Sequence, residues 1–292
     1  MGSASPSTSK GDRAGSRLTA VLFTDLDGTL LDADTYEPGP SLQALVRCGE
    51  GGVEVVFVSS KTRAEMEAIR QDLGNEAPFI YENGGGMLIP ADRWPVVPGA
   101  VRDADYWAIR LGTPFPVLTR ALRESAREAN VSVLGFDEMS DEDVAEATGL
   151  TVEKAGLARA REFDLPFIVM EEGDGVPAEL REAVGARGLQ ITRGGRFHHI
   201  MGGVDKGRAV ERLRALYGDL QPGIVFAAVG DAALDRPMLE VVERPFLVRR
   251  PDGSIDEDAI FDGLHVTDGN GPEGFEEAVD LLLAGPERGE VR

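Results

Sequence analysis

Asp25 and Asp27 close a short apolar run and are followed by Gly28 and Thr29. A carboxylate can attack phosphorus and carry the phosphoryl group as a covalent intermediate. A second carboxylate beyond the nucleophile can protonate the leaving oxygen, then deprotonate the water that hydrolyses the intermediate. Two anions must approach each other, so this chemistry calls for a divalent cation. Mg2+ prefers oxygen ligands in octahedral geometry. Asp25 and Asp231 can offer carboxylate oxygens, and the Asp27 main-chain carbonyl can offer another. Lys206 (in Asp205-Lys206-Gly207) and Ser59 (in Ser59-Ser60-Lys61-Thr62) can bind phosphoryl oxygens and offset developing charge.

Each of these pieces has an ordinary reading as a turn or a helix cap. Their order and placement carry more weight. Residues 19–23 (TAVLF) and 53–58 (VEVVFV) read as buried parallel strands, and so does 224–229 (IVFAAV). The segment 77–81 reads as a third, short strand after the first two. Helical segments follow at 40–48, 62–73, 206–217 and 273–283, with Gly49 to Gly52 stopping the first. Ligands of parallel sheets bind beyond the carboxyl ends of the strands. Asp25, Ser59 and Asp231 all fall at such ends. The pattern predicts an α/β fold with a doubly wound, mostly parallel sheet. Residues 90–197 read differently, as strand-like pieces at 106–111, 167–170 and 189–192 among polar helices, and so as an inserted α+β domain. The predicted divisions are a disordered tail at 1–17, a discontinuous core at 18–89 and 198–292, and the insertion at 90–197.

Composition narrows the function class. The 292 residues carry 30 Lys+Arg against 51 Asp+Glu, a formal net charge of −21, which disfavours broad binding to nucleic acid or anionic membranes. It leaves room for a small anionic substrate, which needs only a local cluster of donors. The single cysteine, Cys48, rules out an internal disulfide framework and a Cys-rich zinc site. The three histidines, His198, His199 and His265, offer little for a histidine metal cluster. With no apolar leader and no membrane-length apolar run, the expected location is the cytoplasm.

The motifs FTDLDGTLLD (23–32), VSSKTR (58–63), DKG (205–207) and GDAALDRPML (230–239) resemble those of the haloacid dehalogenase superfamily. The resemblance implies Asp25 as nucleophile, Asp27 as general acid/base, Ser59 and Lys206 as phosphate ligands, and Asp231 as a metal carboxylate. It implies that Asp235 holds the metal through water or orients Lys206. It also implies one Mg2+ per site, with Mn2+ or Co2+ as substitutes, and a large α+β cap as the insertion. SSKTRAE (59–65), PFIYENGGG (78–86), REFDLPF (161–167) and RGGRFHHIMGG (193–203) are similar to the mannosyl-3-phosphoglycerate phosphatase family. That likeness spans nearly the whole chain except the tail. It implies hydrolysis of a small phosphorylated sugar acid, giving the compatible solute mannosylglycerate. Glucosyl-3-phosphoglycerate or another phosphorylated sugar acid is the alternative substrate, and a catalytically silent binder of phosphometabolites is the alternative class.

Further residues fit such a substrate. Arg193, Gly194, Gly195 and Arg196 offer guanidinium and backbone donors for anions. A basic hairpin turn would look the same. His198 and His199 alternate on a predicted strand, so one of them faces the cleft, and His198 is the expected one. Glu82, Asn83 and Gly84 sit at the third strand end, as sugar ligands or as a hinge. Ser60, Lys61 and Arg63 follow strand two, as substrate contacts or as caps of the sheet edge. One departure stands out: the family commonly carries Asn-Asp where this chain has Leu234-Asp235. With Asp231 and Asp235 retained, the expected effect is a retuned metal loop rather than loss of activity.

Overall fold

The computed structural model describes residues 18–94, 96–170, 175–194 and 197–285. The tail at 1–17 lies outside them. The chain begins with β1 (Ala20–Thr24), α1 (Ser41–Glu50), β2 (Val53–Val58), α2 (Arg63–Asp72) and β3 (Phe79–Tyr81), then three strands, β4 (Gly86–Pro90), β5 (Val101–Asp103) and β6 (Tyr106–Arg110). A second unit holds α3 (Phe115–Ala129), β7 (Val133–Gly135), α4 (Asp141–Thr148), α5 (Val152–Arg159), β8 (Asp164–Val169), α6 (Ala178–Gly185), β9 (Gln190–Gly194) and β10 (Phe197–Met201). The chain ends with α7 (Lys206–Leu220), β11 (Val225–Gly230), α8 (Arg236–Leu239), β12 (Arg244–Arg249), β13 (His265–Asn270) and α9 (Gly271–Ala284).

Among the described residues the strands form two sheets. The large one has the order β13-β12-β11-β1-β2-β3-β4-β6-β5. It is parallel from β13 to β3 and antiparallel beyond. The smaller one, β7-β8-β10-β9, is antiparallel throughout.

The apolar runs follow from burial on both faces of the large sheet. In β1, Ala20 and Leu22 face one layer and Val21 and Phe23 the other. The first layer is filled by Ala44 and Cys48 of α1 and by Phe275, Ala278 and Val279 of α9. The second is filled by Val210, Leu213 and Tyr217 of α7 and by Met238 and Leu239 of α8. Full burial of each large aliphatic or aromatic side chain contributes about 1.5–3 kcal/mol. The smaller unit has its own core, with Leu118 and Leu122 of α3 and Leu180 of α6 packed on Leu165, Phe167 and Ile200.

The sheets divide the chain elsewhere than 90–197. β5 and β6 extend the core sheet, whereas β10 completes the cap sheet. Residues 106–110, expected in the insertion, therefore belong to the core. The cause is antiparallel pairing: β4 doubles back on β3 and β6 pairs along β4, so the sheet keeps growing after its parallel part ends. The chain leaves the core through 111–114 and returns through 202–205, and the two passages touch, with Gly202 against the Thr113 side chain. Among the described residues no helix is long and apolar enough to cross a membrane.

Candidate active site

Register explains why distant motifs meet. Thr24 of β1 lies beside Val229 of β11 on one side and Phe57 of β2 on the other. Asp25, Asp231 and Ser59 therefore leave the sheet at the same edge, on neighbouring strands. Asp205 caps α7 by accepting from the Arg208 N–H at 2.9 Å, which sets Lys206 in the first turn. The Lys206 ammonium is buried and donates to Asp25 Oδ1 and Asp235 Oδ1, each at 2.6 Å. The second oxygen of Asp235 accepts the main-chain N–H groups of Asp231 and Ala232, at 3.0 and 3.2 Å. Asp235 thus ties Lys206 to the loop carrying Asp231, and both its oxygens accept hydrogen bonds in doing so.

Asp25, Asp231 and Asp235 have ligand oxygens within 4.8 Å of one another. Burial pushes the Asp25 carboxyl up to about 7, against the pull of Lys206 and with the repulsion of Asp235 and Asp27. Burial, then repulsion from Asp235 and Asp25, pushes Asp231 up to about 8. Lys206 is held above the ordinary lysine range: burial works against its charge, but Asp235 and Asp25 outweigh it. The cluster is short of positive charge, and its donors are hard oxygens. That donor set fits a divalent cation of the Mg2+ type.

Asp27 lies at the rim. Its Oδ2 pairs with Lys61 Nζ at 2.8 Å, while its Oδ1 is buried without a hydrogen-bond partner. Gly28 makes the turn between them possible. Its φ is +81°, and a Cβ there would sit 3.0 Å from Asp231 Oδ2. Ser59 is buried at the β2 end, where its Oγ accepts the Lys61 N–H at 3.2 Å. Thr62 opens α2 with a capping box closed by Glu65. It also reaches the smaller unit, donating to the Leu157 carbonyl at 2.9 Å.

A cleft of about 770 Å³ separates the two units. Its core wall includes Asp27, Ser60, Lys61, Asn83 and Leu234, and its cap wall includes Lys154, Arg161, Thr192 and His199. Arg161 is nearly buried and donates to the Ser60 carbonyl at 2.8 Å, a second tie between the units.

Several predicted residues are placed elsewhere. His198 does not line the cleft; His199 does. Pairing explains it: His198 lies opposite Phe167 and Arg193, on the face that packs on the cap helices, while His199 lies opposite Pro166 and Thr192. Arg193 thereby shares the helix face with His198, next to Gly194 at the end of β9. Gly195 and Arg196 lie outside the described residues. Arg63 is committed to Glu67 and Asp103, at 3.0 and 2.8 Å. Glu82 turns away from the cleft and accepts the N–H groups of Glu162 and Phe163, so it is a hinge contact rather than a sugar ligand. Burial pushes its carboxyl up to about 7, against Arg161 and those N–H donors. Gly84, with φ +96°, lets the turn lie against α7, where a side chain would collide with the Asp205 carbonyl. Asn83 does face the cleft, and its buried Oδ1 has no partner.

Sequence reasoning missed Lys154, Arg161 and Thr192 as cleft residues and preferred His198 to His199. Arg161 lay within a family-like motif without a role, and Lys154 and Thr192 carried no signal of their own.

Residues 22–93 match the family model for haloacid dehalogenase-like hydrolases. A haloalkanoate-superfamily phosphatase from Bacteroides thetaiotaomicron has the same fold, with a TM-score of 0.61 over 93% of this chain and 98% of its own, at 22% identity. A Thermoplasma acidophilum structure gives 0.61 over 90% and 98%, at 18% identity. Sheet order, inserted cap and the carboxylate cluster at the strand ends make this chain a haloacid dehalogenase-like hydrolase. The glucosyl-3-phosphoglycerate/mannosyl-3-phosphoglycerate phosphatase of Methanococcoides burtonii is 38% identical over 264 residues, covering 90% of this chain and 97% of that one. The mannosyl-3-phosphoglycerate phosphatase of Pyrococcus furiosus is 34% identical over 78% of this chain and 90% of its own. The chain belongs to the mannosyl-3-phosphoglycerate phosphatase family.

Proposed function

We propose that this protein is a cytoplasmic phosphomonoesterase that hydrolyses mannosyl-3-phosphoglycerate to mannosylglycerate and phosphate. The observation that carries the reading is the Asp25–Lys206–Asp235 chain of 2.6 Å contacts, with Asp231 beside it, at the strand ends. Asp25 attacks phosphorus, forming a carboxyl–phosphate bond as the ester P–O bond breaks. Asp27 gives its proton to the departing sugar-acid oxygen. A water then attacks the phosphorus of the intermediate, Asp27 takes the proton, and Asp25 is released as a carboxylate. Lys206 and Ser59 hold the phosphoryl oxygens. Lys61 pairs with Asp27 when that side chain is ionised, the form that takes the proton from water, and fixes its orientation. Asp25, Asp231 and the Asp27 carbonyl would hold Mg2+, which when bound offsets the charge of two approaching anions. Asp235 serves by anchoring Lys206 and the Asp231 loop.

The cap wall adds cationic and polar groups, Lys154, Arg161, Thr192 and His199, which suit a substrate carrying a carboxylate and sugar hydroxyls. The double name of the Methanococcoides relative supports glucosyl-3-phosphoglycerate as a second substrate. Retention of both Asp25 and Asp27 supports turnover over mere binding, since a binder needs neither a nucleophile nor an acid.

The test is phosphate release from the mannosyl and glucosyl compounds and from simple phosphosugars, with Mg2+ and with chelator. Metal-dependent turnover strongest on the glycosyl-3-phosphoglycerates, abolished by Asp25→Asn in a folded protein, is the expected result. Full activity in Asp25→Asn would overturn the mechanism, and even turnover across the panel would overturn the substrate.

A further inference from the structure

His199 and Asp164 form a buried pair that the phosphoryl chemistry does not use. Both lie on the cleft-facing side of the cap sheet, where alternation puts Asp164 and Pro166 of β8 on the same side as His199 and Met201 of β10. Asp164 is fully buried, and both its oxygens lie against His199 Nδ1, at 2.9 and 3.0 Å. Arg161 approaches the same carboxylate at 3.4 Å while binding the Ser60 carbonyl. With Nδ1 committed to Asp164, Nε2 is the ring nitrogen left for the cleft, and His199 lines that cleft beside Thr192. A carboxylate behind an imidazole fixes the ring and favours the imidazolium, in which Nδ1–H donates to the carboxylate and Nε2–H is a directed donor on the far side. Asp164 stays charged in this role: burial works against it, but His199 and then Arg161 hold its carboxyl below the usual range.

The phosphate end of the substrate belongs at Asp25 and Lys206, which do not themselves line the cleft but lie on the core side, where Asp27 and Leu234 form its wall. The opposite wall, with His199, Lys154 and Arg161, gathers positive and donor groups in a protein whose formal net charge is −21. A second anionic group is what such a wall recognises.

We infer that His199, oriented by Asp164, is a specificity-determining residue whose imidazolium Nε2–H donates to the substrate's carboxylate, and that Asp164 is its positioning residue. The inference rests on the reading of the substrate as a phosphorylated sugar acid.

The test compares two small ligands that differ at one group: 3-phosphoglycerate, which has the carboxylate, and glycerol 3-phosphate, which has a hydroxymethyl group there. Binding is measured by calorimetry with Mg2+ in an Asp25→Asn background that blocks turnover. The background without further change is expected to prefer 3-phosphoglycerate, and adding His199→Ala should cut that preference roughly 10- to 100-fold, the worth of a charge-assisted hydrogen bond. His199→Gln, which keeps a donor without the charge, should fall between, and Asp164→Asn should move the preference in the same direction. A structural role would weaken both ligands equally, and that result overturns the inference. An unchanged preference in His199→Ala and His199→Gln, or no preference before the change, overturns it as well. Loss of discrimination between mannosyl-3-phosphoglycerate and 3-phosphoglycerate, with the carboxylate preference intact, would move His199 to the sugar and overturn the carboxylate assignment. Phosphate release by the unmodified enzyme separates this result from the parent reading: turnover of mannosyl-3-phosphoglycerate with an unchanged carboxylate preference sinks only the role of His199.

Discussion

Replacing Asp235 by Ala tests the view that this residue is an anchor rather than a ligand. The change removes three contacts: Lys206 at 2.6 Å and the N–H groups of Asp231 and Ala232 at 3.0 and 3.2 Å. Breaking a buried ion pair costs about 3–5 kcal/mol. Here Lys206 keeps Asp25, and the two N–H groups sit on a half-buried loop that water can reach, so the loss falls toward the lower end. A second effect opposes it. Asp235 is one of the charges raising Asp25, and after burial it is the largest influence raising Asp231. Its removal relieves both carboxylates. The net cost comes to about 2–4 kcal/mol, and at roughly 2–4 °C per kcal/mol for a chain of this size the melting temperature should fall by about 4–16 °C. Released on one side, Lys206 no longer sits where the phosphoryl oxygens arrive, and turnover should drop about a hundredfold. Differential scanning calorimetry and phosphate release measure the two quantities on one preparation. A melting shift under about 2 °C with turnover intact would show that Asp25 alone holds Lys206, and the anchor argument would fail.

Three other outcomes follow from the same geometry. Asp25 and Asp231, at about 7 and about 8 without metal, must ionise to bind Mg2+, so binding at pH 7 should expel protons and the affinity should rise from pH 6 to 8. Because the folded chain holds protons that the unfolded chain releases near pH 4, the metal-free protein should lose stability between about pH 4 and 8; calorimetry in buffers of differing ionisation enthalpy counts the protons, and a count near zero at pH 7 contradicts the argument. Glu82→Gln keeps an acceptor for Glu162 and Phe163 and should change stability by under about 1 kcal/mol, whereas Glu82→Leu strands both N–H groups and should cost about 2–4 kcal/mol in urea unfolding; the reverse order would refute the hinge reading. Leu234→Asn, at the cleft wall, should alter turnover by less than about tenfold, and a gain of several orders of magnitude would show that the metal loop is crippled as it stands.

The sequence carried the core because its signals are local. Apolar runs that end in Asp25, Ser59 and Gly230 are what strands buried on both faces look like, and the parallel sheet then brings their ends together. The extension through β4 to β6 was illegible because an apolar strand such as Tyr106–Arg110 pairs as readily with one sheet as with another. What decided the matter was the reversal at Glu82–Gly84, where Glu82 and Asn83 take positive φ of 48° and 55°. The histidine choice failed for a related reason. Alternation says that one of His198 and His199 faces the cleft, but not which. The deciding partner, Asp164, lies 35 residues away and becomes a neighbour only through the β8–β10 register. The choice between the two readings of Arg63 needed Asp103, which reaches it from the unexpected core strand β5 at the edge of the sheet.

The touching passages at 111–114 and 202–205 have a kinematic consequence. Two ties side by side define a line, and a body held along a line can turn about it but cannot slide past its neighbour. Tyr81, Gly85 and Gly112 crowd around Phe163, so the Glu82 contact lies close to that line and barely moves. The clasps Thr62–Leu157 and Ser60–Arg161 are what must part for the mouth to widen. Opening and shutting are then one coordinate, like a lid on a pin, and each return brings the same wall to the same place. Such a hinge would return the two walls of the cleft to one alignment at every closure, without a search.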